Sequence, residues 1–377
     1  MVHVTPSLDM MHPSGIDVHV YELARSLLSR GEEVAVYTSL NCGRKDLSQA
    51  EFHRFPIYGV SDLPFLVKNI ETFRTLIKRA WLPIHTRTFF DELTREHDIV
   101  HIHGHEYPIS FVAMLAAKKA GIPTVLTIHG VERGLEHMPS FLLLRKATRP
   151  TFFSFVVNSA NAVVAPSDQV LQILERYRPK RVVRIPHGIS LERFRGLEKG
   201  SDYVLYLGRL FPVKGPEIFV KAASLISKRV DIKFLMVGYG SQRPCLEKLV
   251  KTLGISNKVK FVDSVPYDEV PKIMAGASVF VAPGISGYSL LEAASAGVPI
   301  VSGSIGWNIS CIGRNSAIYV NPQDAKELAE AVVRILTDEN LAKDLSSKAR
   351  RFVESHRNWN TLIGRYIEVY NSILQTT

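Results

Sequence analysis

Residues 278–303 read SVFVAPGISGYSLLEAASAGVPIVSG. SVFVA opens with the near-continuous apolar pattern of a strand buried on both faces. PGISG interrupts it with a proline and two glycines. YSLLEAASA then spaces apolar residues as a helix does, up to Gly297, a common helix-ending residue. PIVSG begins a second apolar run. Strand, turn, helix and strand in that order make a βαβ unit, whose two strands run parallel. Its glycine-rich turn suits an anion, because amides at a helix start point outward where the helix dipole favours negative charge.

Outward from this unit the same alternation fills the chain. Nearby apolar runs are YVLYLGR (203–209), IKFLMVG (232–238) and VKFVDSV (259–265). Further back lie VHVT (2–5), EVAVYTS (33–39), DIVHIHG (98–104), PTVLTIHG (123–130) and AVVAPS (162–167). Amphipathic stretches such as VHVYELARSLLSRG (18–31) separate them, with Gly31 as a helix stop. The fold class is therefore α/β, with two Rossmann-like, doubly wound parallel-sheet domains. We place the first at residues 1–185 and the second at 186–355, with the break near RIPHGISLERF (184–194). RFVESHRNWNTLIGRYIEVYNSIL (351–374) reads as one long helix, and residues 356–377 are expected to pack back on the first domain. Ligands of open α/β sheets bind beyond the carboxyl ends of the strands, so two such domains facing across a cleft would hold the active site there. The first run begins almost at Met1, which leads us to expect a natural start a few residues upstream.

A chain of 377 residues exceeds one hydrophobic core and suits two domains. Hydrophobic residues make up 46%, as in globular proteins, and no run approaches the roughly 20 uninterrupted apolar residues of a membrane helix. The N-terminus lacks a signal peptide's basic start and apolar centre. Cys42, Cys245 and Cys311 lie far apart without a CxxC pair, which argues against a disulfide framework and suits a reducing, cytoplasmic compartment. The formal charge is +10. Residues 1–185 hold 22 Lys and Arg against 18 Asp and Glu, and the remainder 24 against 18, so the excess is spread over both halves. Such a chain attracts anions in general, whether nucleoside diphosphates, acidic lipid or nucleic acid. No nucleic-acid-binding module is present in the pattern, so we expect no nucleic-acid partner.

YLGRLFPVKGPEIFVKA (206–222) sets Arg209 just past a strand and Lys214 five residues later, ahead of a helix. Two flexible cations at the mouth of such a unit can clamp a diphosphate and neutralise charge on one that departs. Two solvated surface cations are the plain alternative for an arbitrary RxxxxK, but GRLxxxKG after an apolar strand is more specific. In the opening stretch, the amides of Tyr288, Ser289 and Leu290 can point at an anion beside Gly287. Glu292, placed in the first turn, can accept hydrogen bonds from a ribose. An ordinary turn, with Ser289 as cap and Glu292 offsetting the dipole, would use the same residues. HPSGIDVHVYELA (12–24) is a second loop feeding a helix: Gly15 can let backbone approach a phosphate, and Asp17 and His19 fall in the first turn. VGYGS (237–241) is a further glycine-bearing strand end, weak by itself.

Histidines gather at strand ends: His101, His103 and His105, then His129 in TIHG and His187 in PHG. An HxH pair on a strand needs a third convergent ligand to hold a metal. No DxD pair occurs in the chain, which removes the usual carboxylate anchor for a divalent ion on a nucleotide. We therefore expect no metal site and no cofactor. His129, at the carboxyl end of a buried strand, is the expected reactive-zone residue. GxSxG and GxxxxGK[ST] are absent, and no GxGxxG follows the first strand, so hydrolase-elbow, P-loop and dinucleotide-dehydrogenase readings have no support.

In this order the pieces resemble the retaining glycosyltransferases of family 4, the group 1 family, which have the GT-B fold. SGIDVHVYELARSLLSRGEEVAVYT, DIVHIHG, PTVLTIHG, RIPHGIS, YLGRLFPVKG, VGYGS and SLLEAASAGVPIVSG carry the likeness over nearly the full length. It implies transfer of a sugar from a nucleoside diphosphate donor with retention of configuration, in glycan biosynthesis. It further implies that Arg209 and Lys214 grip the diphosphate, that Glu292 holds the ribose as the second glutamate of E-x7-E, and that amides from Gly287 to Leu290 meet sugar and phosphate. Gly15 matches a phosphate-side glycine and His129 a donor-sugar histidine. Asp17, His19 and His103 fall on the acceptor side. Gly284 stands where the family has its first glutamate, Ser14 in place of one of two paired glycines, and His187 and Ser190 in place of Asn and Asp. Two alternatives follow from Gly284: a nucleotide-sugar-binding homologue with weak or no activity, and a nucleotide-sugar epimerase on a similar fold.

Residues 63–95 and 141–155 mix large apolar side chains with Lys and Arg, as interfacial helices on anionic lipid do. Core packing with snorkelling cations is the alternative. The expected partners are thus a nucleotide-sugar donor, a glycan or lipid-linked acceptor, and an anionic membrane met peripherally on its cytoplasmic face.

Overall fold

The computed structural model of the protein describes residues 1–6, 8, 10, 14–39, 51–55, 91, 93, 97–105, 108–130, 153–198, 200 and 202–376. The chain divides into two compact units, residues 1–187 with 360–377, and residues 188–359.

The first unit is built on strands β1 (Val2–Val4), β2 (Ala35–Ser39), β3 (Glu51–Phe55), β4 (Val100–His103), β5 (Thr124–Thr127), β6 (Ala162–Ala165) and β7 (Val182–Arg184). They pair in parallel in the order β3-β2-β1-β4-β5-β6-β7. Val2, Val4, Val100, Ile102, Val125, Leu126, Val163 and Val164 are fully buried, which is why these strands read as uninterrupted apolar runs. The helix Gly15–Leu28 buries Val20, Leu23, Ala24 and Leu27, a helical spacing of apolar residues. The last helix, Trp359–Leu374, buries Leu362, Ile363, Tyr366, Val369, Tyr370 and Ile373.

The second unit holds β8 (Tyr203–Leu207), β9 (Lys233–Val237), β10 (Val259–Val262), β11 (Ala277–Ala282), β12 (Ile300–Gly303) and β13 (Ile318–Val320). They too are parallel, in the order β10-β9-β8-β11-β12-β13. Val204, Phe219, Phe234, Met236, Val279, Val281, Val301, Leu328 and Val332 form its core. The two sheets share one plan. Strand order reverses between β1 and β4 in the first and between β8 and β11 in the second. Loops diverge beyond the carboxyl ends at such a reversal and leave a crevice, the place where doubly wound sheets bind ligands.

All ten apolar runs are strands. The three additional strands, β3, β7 and β13, lie at sheet edges, where burial on one side only leaves little apolar pattern to see. The long closing helix is corrected: Glu339–His356 and Trp359–Leu374 are separate helices. They break because Ile189 inserts its backbone there, its amide donating to the Arg357 carbonyl at 2.7 Å and its carbonyl accepting from Trp359 at 3.3 Å. Among the described residues no helix is long and apolar enough to cross a membrane. The two basic-apolar stretches, 63–95 and 141–155, lie outside the described residues except for 91, 93 and 153–155.

Candidate functional site

At the strand reversal of the second unit, β8 runs out through Gly208, Arg209 and Leu210. The Gly208 amide donates to the Val237 carbonyl at 3.0 Å and the Leu210 amide to the Tyr239 carbonyl at 2.7 Å. VGYGS is thereby laced to the loop that carries Arg209. The approach leaves no room for side chains. A β-carbon on Gly238 would lie 2.0 Å from the Gly208 carbonyl oxygen, and one on Gly240 2.4 Å from that of Leu210. Both glycines also hold a positive φ, of +147° and +157°, which other residues rarely adopt. The buried Tyr206 donates its hydroxyl to the Arg209 carbonyl at 3.0 Å. The Arg209 side chain itself is exposed, its Cζ 5.6 Å from the Phe211 ring centre.

Pro212–Lys214 form a single 3₁₀ turn ahead of the helix Pro216–Ile226. Lys214 is half-buried. Desolvation, with the nearby Arg209 charge adding to it, lowers the Lys214 pKa to about 8. An anion between the two cations would relieve both effects.

β11 leads into the facing loop. The amides of Gly284 and Ile285 donate to the carbonyls of Lys214, at 3.1 Å, and Val213, at 3.0 Å. A β-carbon on Gly284 would stand 2.3 Å from the Val213 carbonyl oxygen and 2.7 Å from Lys214 Cα. Position 284 therefore faces the backbone of Val213 and Lys214. Asn308, fully buried in the helix Gly306–Ile312, locks the same loop. Its Oδ1 accepts from the Ser286 amide at 2.8 Å, while its Nδ2 donates to the Gly284 carbonyl at 2.9 Å and to Ser302 Oγ at 3.0 Å.

The helix Tyr288–Ala296 starts after Gly287, and no side chain caps it. Ser289 instead pairs its hydroxyl with that of Ser286 at 2.6 Å. The Leu290 amide donates to the Gly287 carbonyl at 3.0 Å, so it closes the first turn rather than pointing outward. Glu292 is buried in the second turn, not the first. Trp307 lies beside Gly287, its indole Nε1 3.6 Å from where a β-carbon would stand. Sequence reasoning passed over Trp307 and Asn308. Their short helix has no capping signature, and their role depends on β11 and β12 being neighbours.

The first unit carries a different arrangement at its strand reversal. Ser14, in place of a glycine, caps the helix Gly15–Leu28. The Ser14 amide donates to Asp17 Oδ2 at 2.7 Å, and the Asp17 amide to Ser14 Oγ at 3.4 Å, which is a capping box. Asp17, His19 and His103 are all buried. Gly15 is the first helical residue and is exposed.

His3 on β1 pairs in register with His101 on β4, and residues two apart on a strand share a face. His3, His101 and His103 therefore meet. His3 Nδ1 lies 3.0 Å from His103 Nε2, His103 Nδ1 3.1 Å from His129 Nε2, and His129 Nδ1 3.4 Å from His187 Nε2. His101 is held by Tyr370 at 2.8 Å and Thr127 at 2.7 Å. Burial holds His19, His101, His103 and His129 well below the usual imidazole range, and neighbouring imidazoles add to the effect. Burial likewise lowers His3 to about 3. These rings are neutral at pH 7. Two groups, His3 with His101 and His103, and His19 with His129 and His187, each bring three ring nitrogens within 4.8 Å of one another. Strand pairing thus brings a third imidazole to the HxH pair.

Two family models match the chain: group 1 glycosyl transferases over residues 190–352, and glycosyltransferase family 4 over residues 13–193. The D-inositol 3-phosphate glycosyltransferase of Thermobispora bispora is 26% identical, over 96% of this chain and 90% of its own length. Sucrose-phosphate synthase of Thermosynechococcus elongatus has a similar structure, with a TM-score of 0.79 at 21% identity, covering 100% of this chain and 99% of that one. HepE of Anabaena in complex with UDP-glucose gives a TM-score of 0.76 at 18% identity, covering 98% and 99%. The fold is GT-B, and the chain belongs to the group 1 glycosyltransferases of family 4.

Proposed function

We propose that the protein transfers a sugar, with retention of anomeric configuration, from a nucleoside diphosphate donor to a hydroxyl of a lipid-linked or polysaccharide glycan. The observation that carries this reading is the pair Arg209 and Lys214 on the one loop that follows β8, which backbone hydrogen bonds fasten to the loops after β9 and β11 at the strand reversal of the second unit. Fixed cations stabilise the charge that grows on the β-phosphate as the glycosidic bond breaks. No protein nucleophile is required. The acceptor oxygen attacks the face the diphosphate leaves, and its proton passes to the departing phosphate. Glu292, buried one turn into the helix behind the loop, is assigned to the ribose, and His129 to the sugar, on the family resemblance. Metal is not needed for this step, since cations and amides carry the phosphate charge.

The donor class is supported by the UDP-glucose in HepE, and a phosphorylated polyol enters as an acceptor candidate through the name of the Thermobispora relative. With three cysteines far apart in the sequence and no CxxC pair, we place the protein in the cytoplasm, meeting anionic membrane where its acceptor is lipid-linked. The test is a panel of UDP-, GDP- and ADP-sugars with inositol phosphates and lipid-linked glycans, followed by proton NMR at the anomeric position. An α-linked product from an α-linked donor is expected. A β-linked product would overturn retention; epimerised donor without transfer would favour the epimerase, and binding without turnover the inactive homologue.

A further inference from the structure

We infer that His19, His129 and His187 form a binding site for one borderline transition-metal ion of the Zn²⁺ class. Their three ring nitrogens lie within 4.8 Å of one another. The separation of His129 Nδ1 from His187 Nε2 is 3.4 Å, long for an imidazole hydrogen bond. It matches the edge of a tetrahedron of about 3.4 Å that follows from Zn–N bonds of roughly 2.0–2.1 Å. His129 is also supported from behind, as a metal-bound imidazole requires. While Nδ1 faces His187, Nε2 lies 3.1 Å from His103 Nδ1, a partner that fixes tautomer and ring orientation. The Tyr366 hydroxyl lies 3.3 Å from His19 Nε2.

The second group of three is less suited. Both nitrogens of His101 are already engaged, by Tyr370 at 2.8 Å and Thr127 at 2.7 Å, and His3, His101 and His103 are all fully buried. In the proposed site His129 and His187 are only half-buried, so an ion can enter and keep an exchangeable fourth position. Neutral imidazoles favour Zn²⁺, Ni²⁺, Co²⁺ and Cu²⁺ over Mg²⁺ and Ca²⁺.

The site shares His129 with the proposed sugar contact, so it is tested by metal binding and not by turnover. The full chain is dialysed against ZnCl₂ with a weak competing chelator, and bound zinc is counted by mass spectrometry. One zinc per chain is expected, with affinity falling at least tenfold in His187→Asn and in His19→Gln, and unchanged in His3→Gln. Because a variant can fail to fold, wild-type protein is also titrated with Co²⁺, which should give the intense visible bands of a four-coordinate ion. No zinc retained over the chelator would overturn the site. So would loss of binding in His3→Gln with binding intact in His187→Asn, or a Co²⁺ spectrum of purely octahedral intensity.

Discussion

Lys214 titrates near pH 8 because burial and the Arg209 charge both penalise its ammonium, and a bound diphosphate would push that pKa back up. The free protein loses the charge as pH rises through about 8. Nucleoside diphosphate affinity is therefore expected to be level below pH 8 and to fall by up to about tenfold per unit above it. Lys214→Arg should extend the plateau, and calorimetric titrations from pH 6.5 to 9.5 check both. Replacing Arg209 or Lys214 with Ala should lower kcat/KM by roughly 10² with the fold intact. Asn308 is expected to matter for a different reason. Asn308→Ala strands the Ser286 amide and the Gly284 carbonyl, at about 1–3 kcal/mol for each buried group left unpaired. Its thermal midpoint should drop and its KM for donor rise, whereas an unchanged melting curve would show that the loop holds itself.

The loops act in pairs, and this is where the sequence was only partly legible. Arg209, Lys214 and Glu292 could be found because each sits at a fixed spacing from an apolar run. The packing of Gly284 was not legible because it is set by another segment, the backbone of Val213 and Lys214, which it touches through the pairing of β11 with β8. The convergence of His3 with His101 and His103 is hidden for the same reason: β1 and β4 are neighbours in the sheet and about a hundred residues apart in the chain. Alternation reveals that strands exist, not which ones pair. Gly284→Ala should accordingly loosen the Lys214 turn, costing about 1–3 kcal/mol of stability, the usual range for overpacking. Gly284→Glu should lower turnover with every donor alike instead of re-ranking donors. Selective activation of one donor by Gly284→Glu would show that the loop opens to the sugar after all.

For the whole molecule, the repeated strand order explains why one chain presents two loop clusters of different chemistry. The second unit gathers cations and amides, and the first gathers neutral imidazoles. The division predicts that chelation separates them: EDTA should strip a zinc ion from the histidines yet leave turnover in place. Loss of activity in EDTA, restored by a divalent ion, would mean that metal serves the transfer step. The central claim, that the second unit holds a nucleoside diphosphate between Arg209 and Lys214, is tested most directly by calorimetry. UDP, GDP and ADP are titrated into the wild-type chain and into Arg209→Ala and Lys214→Ala. The account predicts that at least one diphosphate binds once per chain and that either substitution weakens it by about tenfold or more. Binding of equal strength in wild type and both folded variants would contradict it, as would no binding of any of the three.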